Sequence, residues 1–121
     1  MSDSTYTVKL LHLHCYANEE IKEDEIYIKY NGKKIWPTDK KYVQLKPGEK
    51  MEINVDIPDV PHGQTVELEV WDWDMWSAND HLGTAKMIIN GSGGPYLVDM
   101  KPSSAEETAR YSIQWQVPWE D

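Results

Sequence analysis

The chain has 121 residues, 40% of them hydrophobic, which suits one domain with a single core over residues 1–121. Its 12 basic and 21 acidic residues give a formal net charge of -9, which opposes binding to nucleic acid and to bare anionic membranes. The single cysteine, Cys15, excludes an intramolecular disulfide and agrees with a reducing compartment. Because the first residues resemble neither a secretory signal nor a transmembrane segment, we expect a soluble cytoplasmic protein.

Apolar and polar residues alternate with period two along most of the chain, and no window carries a helical stripe. The predicted strands are residues 6–15, 25–30, 33–36 continuing into 42–45, 51–57, 66–71, 82–89, 96–100 and 110–117. Turn residues separate them, with Asn31-Gly32 typical of a two-residue hairpin and Pro47-Gly48 typical of a type II turn. Eight short strands with such turns predict an all-β antiparallel sandwich, with jelly-roll and immunoglobulin-like folds as competitors.

Three aspartates, Asp72, Asp74 and Asp80, lie close together between two predicted strands. In an extended chain the first two leave the same face about 7 Å apart, and the third follows enough chain to fold back toward them. Converging carboxylates repel unless a cation lies among them, and unevenly spaced oxygen ligands favour calcium over magnesium. An EF-hand is excluded, because its glycine and closing glutamate positions hold Ser77 and Gly83. A solvated acidic turn remains the alternative.

The same segment resembles the third calcium-binding loop of the C2 domain, the lipid-binding β-sandwich module of conventional protein kinase C and many signalling proteins. The likeness is carried by “WDWD” at 71–74, “ND” at 79–80 and “LG” at 82–83. A second match, “DEIYIKYNG” at 24–32, is similar to the strand entry that closes the family's first calcium loop. The resemblance implies an eight-stranded C2-like sandwich with the permuted, phospholipase-like strand order.

The resemblance also implies a set of calcium ligands, assigned position by position. They are Asn18, Asp24, Asp72, Trp73, Asp74 and Asp80. Trp73 would contribute its backbone carbonyl, and Asn18 stands where the family has an aspartate. Because an amide replaces a carboxylate there, we expect one or two weakly held ions, with Glu19, Glu20 or Glu23 as compensating ligands.

Met75 and Trp76 lie at the tip of the acidic loop, between aspartates that need water or metal. Exposed apolar residues beside a calcium site suit a loop that enters a membrane interface, which tryptophan favours. The alternatives are that Trp76 folds over the loop or stacks on a sugar or a partner protein.

Two further groups of side chains have the chemistry of binding sites. His12 and His14 share a strand face at a spacing that a metal could use, but no third ligand is evident, which favours an ordinary surface pair. Lysines 33, 34, 40 and 41 form a basic cluster that either contacts phosphoinositide or only offsets the acidic surface.

Catalytic signatures are absent from the sequence, which holds no nucleophile elbow and no phosphate loop. We therefore expect a non-catalytic, calcium-binding module that attaches to anionic phospholipid or to a protein partner, peripherally at a membrane. Two alternatives stay open. One is a calcium-independent protein-interaction module; the other is a carbohydrate-binding sandwich that uses Trp36 or Trp76.

Overall fold

The computed structural model describes residues 4–18 and 23–119, and these form ten strands. The strands are β1 Thr5–Ala17, β2 Asp24–Tyr30, β3 Lys33–Trp36, β4 Val43–Leu45, β5 Lys50–Pro61, β6 Thr65–Asp72, β7 Asp80–Ile88, β8 Gly93–Asp99, β9 Lys101–Pro102 and β10 Arg110–Val117. The predicted third strand is divided into β3 and β4, and the two-residue β9 is additional. No helix occurs in these residues, so none is long and apolar enough to cross a membrane.

The strands form two antiparallel sheets that pack face to face, which confirms the predicted all-β sandwich. One sheet has the order β5-β1-β10-β8, and the other has the order β3-β2-β6-β7-β9, with β4 also paired to β2. The first strand, β1, therefore lies beside the last strand, β10, in the middle of the four-stranded sheet.

Alternating side chains from both sheets fill the core, as the period-two pattern predicts. The inward faces include Ile26 and Ile28 of β2, and Val66, Leu68 and Val70 of β6, all fully buried. On β10 the buried hydrophobic residues are Tyr111, Ile113, Trp115 and Val117. Each such aliphatic side chain contributes about 1.5–3 kcal/mol when it leaves water, so this shared interior holds the two sheets together.

Local backbone geometry follows the turn chemistry of the sequence. Asn31 and Gly32 have φ of 52° and 76°, the double positive φ that a two-residue hairpin needs between β2 and β3. In β5, Asn54 and Asp59 also have positive φ, at 51° and 57°, where the register with β1 shifts. These two bulges let β5 continue to Pro61, beyond the predicted end at residue 57.

Candidate functional site at the acidic end of the sandwich

Strand register brings the two predicted calcium loops to the same end of the sandwich. Ile26 lies opposite Asp72, so the start of β2 adjoins the end of β6. The segment 73–79 therefore leaves its sheet beside the residues at which β2 begins. We call the segment 73–79 the acidic loop.

Asp72 anchors the acidic loop to the neighbouring strand. Its side chain is buried at the end of β6, and its Oδ1 accepts a hydrogen bond from the backbone N–H of Glu25 at 2.8 Å. The next residue, Trp73, donates its N–H to the carbonyl oxygen of Glu25 at 2.7 Å. Both contacts tie the loop to β2 before it turns away, so Asp72 has a structural role whether or not a cation binds.

Asp74 organises the turn at the tip of the loop. Its Oδ1 accepts the N–H of Trp76 at 2.8 Å and that of Ser77 at 3.3 Å, and its Oδ2 accepts the Ser77 hydroxyl at 2.7 Å. The Trp76 N–H and then the Ser77 hydroxyl favour the ionised carboxylate, which lowers the pKa of Asp74. A charged Asp74 therefore helps to hold the turn closed.

Asn79 joins the acidic loop to the sheet. Its Oδ1 accepts the backbone N–H of Asp74 at 2.8 Å, and its Nδ2 donates to the Tyr27 hydroxyl, also at 2.8 Å. Tyr27 stands on β2 and its ring stacks on Trp71 with 6.3 Å between centroids. The sequence gives no local sign of this contact, because Asn79 and Tyr27 lie 52 residues apart.

The tip of the acidic loop presents apolar surface to solvent. Trp76 is 90% exposed and Met75 is 66% exposed, so Trp76 does not fold back over the loop. Trp73, in contrast, stacks on Tyr42 at 5.2 Å, and the Nζ of Lys41 lies 5.3 Å from its ring centroid. The tip of the loop is therefore apolar and exposed, whereas its start at Trp73 packs against Tyr42 and Lys41.

Asp80 begins β7 and lies directly opposite Asp72 in the β6–β7 register. Its side chain is exposed, unlike that of its neighbour. Acidic residues at opposite positions of adjacent strands are unfavourable neighbours, and a cation bound between such residues would offset their charge.

The two predicted ligands beside the first loop make contacts inside the protein. Asp24 is only 1% exposed, and its Oδ2 accepts the Tyr111 hydroxyl at 2.7 Å. Asn18 accepts the Cys15 thiol at 2.9 Å through its Oδ1. Burial raises the pKa of the Cys15 thiol, which therefore stays protonated as a donor. The sequence placed Tyr111 in the core but gave no sign that it meets Asp24, 87 residues away.

The acidic loop and the strands around it match a known family. Residues 25–103 match the family model described as C2 domain, which covers more than half of the chain and includes the whole acidic loop. The chain belongs to the C2 domain family. Among curated proteins, no sequence matches this C2 domain.

Solved structures agree with the family at the level of the fold. A C2 domain of plant extended synaptotagmin 1 aligns with a TM-score of 0.59 and 12% identity, covering 100% of both chains. Human GIVD cytosolic phospholipase A2 aligns with a TM-score of 0.53 and 16% identity, covering 100% of this chain and 17% of the phospholipase. These matches support the sandwich architecture of the C2 domain.

The predicted ligands offer oxygen atoms, which calcium prefers, but their side chains are only partly gathered in one place. Among residues 4–18 and 23–119, no group of three or more histidine, cysteine, aspartate and glutamate side chains is gathered closely enough to hold a metal ion. Glu19 and Glu20 lie outside the described residues, and Glu23 pairs with Lys46 at 3.1 Å. Asp72 and Asp80 form the part of the predicted site that the strand register already brings together.

The remaining candidates have ordinary structural partners. His12 contacts Gln114 at 3.0 Å through its Nδ1, and His14 stacks against Tyr16 with 4.3 Å between ring centroids. Lys34 donates through its Nζ to the carbonyl oxygen of Lys40.

Proposed function

We propose that this C2 domain is a non-catalytic module that attaches to anionic phospholipid surfaces through its acidic loop, with calcium as the bridging cation. The proposal rests on one observation above all, the 90% exposure of Trp76 at the tip of a loop that Asp74 and Asn79 hold in shape. Tryptophan favours the interfacial region of a bilayer, and a pre-ordered loop loses little entropy on insertion. Attachment would be peripheral, from the cytoplasmic side.

Electrostatics supports the need for a cation. The chain carries a formal charge of -9, and Asp80 lies exposed at the start of β7, where the acidic loop ends. An anionic membrane would repel that surface unless positive charge lies between them. Bound calcium would supply that charge and would accept a lipid phosphate oxygen beside protein oxygens.

Residues of the chain would then have separate roles in binding the ion and in contacting the membrane. Asp72, Asp74, Asp80 and the carbonyl of Trp73 would hold the ion from the acidic loop side, with Asp24 and Asn18 opposite. Asp72 also keeps the loop attached to β2, while Met75 and Trp76 enter the interface. Because Asp74 uses both of its oxygens within the turn, we expect calcium to compete with those hydrogen bonds and to bind weakly.

Vesicle co-sedimentation tests the proposal, with phosphatidylcholine vesicles that contain or lack phosphatidylserine, in calcium or in chelator. We expect calcium-dependent binding to the anionic vesicles only. Trp76→Ala should weaken this binding about tenfold, since interfacial burial of one indole contributes on the order of 1.4 kcal/mol or more.

Trp119→Ala is the matched control, because Trp119 is 81% exposed and follows β10 at the opposite end of the sandwich. Asp80→Asn should lower the calcium response while leaving the fold intact, because its side chain is exposed. Equal loss in the two tryptophan variants would contradict insertion of the loop. Equal vesicle binding in calcium and in chelator would contradict the role of calcium and would support only the membrane contact of Trp76.

The second candidate function is a calcium-independent contact of the same tip with a protein partner. It is favoured by the hydrogen bonds that the protein itself donates to the carboxylates of Asp24 and Asp74, because these bonds satisfy oxygens that calcium would otherwise bind. Binding to a protein in chelator, lost in Trp76→Ala, would support it. The carbohydrate-binding alternative keeps only Trp76, because Trp36 is buried in the core and has no face available for a sugar.

A further inference from the structure

A cleft far from the acidic loop opens where the edges of the two sheets face each other. It lies between the end of β7 and the strand β8, with a volume of about 610 Å³. Its walls include Met87 and Ile88 from one sheet, and Tyr96, Val98 and Trp115 from the other. We call it the β7–β8 cleft.

The strand β8 is the outer strand of its sheet, and its backbone polarity can be assigned. Met100 donates its N–H to the carbonyl oxygen of Tyr111, so residues in phase with Met100, namely Val98 and Tyr96, direct their backbone groups toward β10. The alternate residues, Leu97 and Asp99, therefore direct their N–H and C=O groups away from the sheet. Among residues 4–18 and 23–119 no strand pairs with this side of β8, and such an edge is a template for another strand.

The facing edge of β7 is also uncovered along this stretch. The strand β9 pairs with β7 only at Gly83 and Thr84, and within the described residues no other strand covers that side of residues 85–88. Ile88 and Leu97, on either side of the opening, are each 61% exposed. An added strand would thus shield apolar surface as well as backbone groups.

A buried donor in the cleft wall has no acceptor. Trp115 is 8% exposed, and its indole N–H is buried without a hydrogen-bond partner among residues 4–18 and 23–119. The ring of Tyr96, itself part of the cleft wall, packs on it with 4.8 Å between centroids. An unpaired buried donor is unfavourable, so a ligand whose backbone carbonyl oxygen reaches the cleft would give the indole N–H an acceptor.

Charge indicates what kind of strand fits. The cleft continues into a second groove that shares Lys86 and Val98 and adds Lys101. Lys86 has a weak surface partner in Glu67, 3.6 Å away. The groove also holds one acidic residue, Asp99, so its two lysines leave a local positive balance that attracts an acidic side chain, whereas a second copy of this chain of net charge -9 would be repelled overall.

We propose that the β7–β8 cleft binds an extended acidic peptide, which adds a strand to the outer edge of β8. An apolar side chain of the peptide enters the cleft against Trp115 and Ile88. An acidic side chain two residues along, on the same face of the extended peptide, meets Lys86 and Lys101. Peptide backbone groups pair with those of Leu97 and Asp99.

The test uses the full chain and a labelled synthetic peptide with the sequence Thr-Val-Thr-Leu-Thr-Glu-Thr-Val. We expect saturable binding by fluorescence anisotropy, together with shifts of the Leu97 and Asp99 amides and of the Trp115 indole N–H in nitrogen-15 spectra. Replacing the peptide's glutamate by lysine should weaken binding several-fold, as should Lys101→Glu in the protein.

Two variants separate backbone pairing from side-chain contact. Leu97→Pro removes an N–H that faces away from β10, so the sheet survives while pairing with the peptide weakens about tenfold or more. Leu97→Thr keeps that N–H and should retain most of the binding. Near-ultraviolet circular dichroism verifies that both variants are folded.

Three results would overturn the proposal. They are absence of saturation up to the solubility limit of the peptide, equal binding by Leu97→Pro and Leu97→Thr, and unchanged affinity for the lysine peptide. Sedimentation that shows a dimer abolished by Leu97→Pro would assign the edge to a second copy of the chain instead. Vesicle binding through Trp76 should be the same in all these variants, so the two proposals fail independently.

Discussion

The Tyr111 hydroxyl and the Asp24 carboxylate form a hydrogen bond inside the sandwich that a single substitution removes. Tyr111→Phe keeps the buried ring and deletes only the donor, 2.7 Å from Oδ2 of Asp24. A hydrogen bond to a buried charged group contributes about 1.5–3 kcal/mol, so we expect the free energy of unfolding to fall by about 2–3 kcal/mol. For a chain of this length that lowers Tm on the order of 10 °C.

Urea denaturation measures the loss, as a lower midpoint at unchanged m-value. Tyr16→Phe is the control, because Tyr16 is 47% exposed and its hydroxyl contacts the neutral Ser112 hydroxyl at 2.9 Å. Its loss should stay below about 1 kcal/mol.

The alkaline range adds a second readout for Tyr111. Burial, then the charge of Asp24, raises the pKa of Tyr111 far above its ordinary value of 10.0. The folded protein therefore binds this proton more tightly than the unfolded chain. The stabilisation of the fold by protonated Tyr111 is complete below pH 10. Above pH 10 it declines by about 1.4 kcal/mol per pH unit. Tyr111→Phe should lack that component. A loss no larger than that of Tyr16→Phe, with the same alkaline slope as the unsubstituted chain, would refute the reasoning.

Three further predictions concern the loops and the sheet contacts. The Trp76 N–H holds the pKa of Asp74 below its ordinary value of 3.8, so the charged carboxylate stabilises the turn above the pKa of the unfolded chain and this stabilisation is lost as pH falls through the lower folded value. Carbon-13 titration of the Asp74 carboxylate in chelator checks this, and an unshifted pKa would contradict it. Asn79→Ala should lower stability by about 1–2 kcal/mol and speed exchange of the Asp74 amide, and an unchanged exchange rate would count against the anchoring role. Gly83→Ala should destabilise by several kcal/mol in urea, because its Cβ would collide with the Lys101 carbonyl, whereas a neutral effect would mean that β9 readily moves away.

The sequence predicted where the candidate site lies, and the structure supplied the contacts of its residues. Alternation ending at Asp72 located the acidic loop, and the exposed Trp76 followed from the aspartates around it. The roles of Asp24 and Asn79 did not follow, since each meets a tyrosine more than 50 residues away. The ligand assignment therefore stays a prediction, while the hydrogen bonds that its members make with neighbouring residues are a finding of the structure.

The sequence by itself determined most of the strands, their alternating faces and the Asn31-Gly32 hairpin, because side-chain direction in a strand and φ in a turn depend on a few neighbouring residues. Only the tertiary structure decided that Asp24 is buried against Tyr111 and that the edges of β7 and β8 leave a cleft beside Trp115. Those features arise where two sheets pack and residues distant in the chain become neighbours. Local periodicity carries no information about how far one sheet overlaps the other.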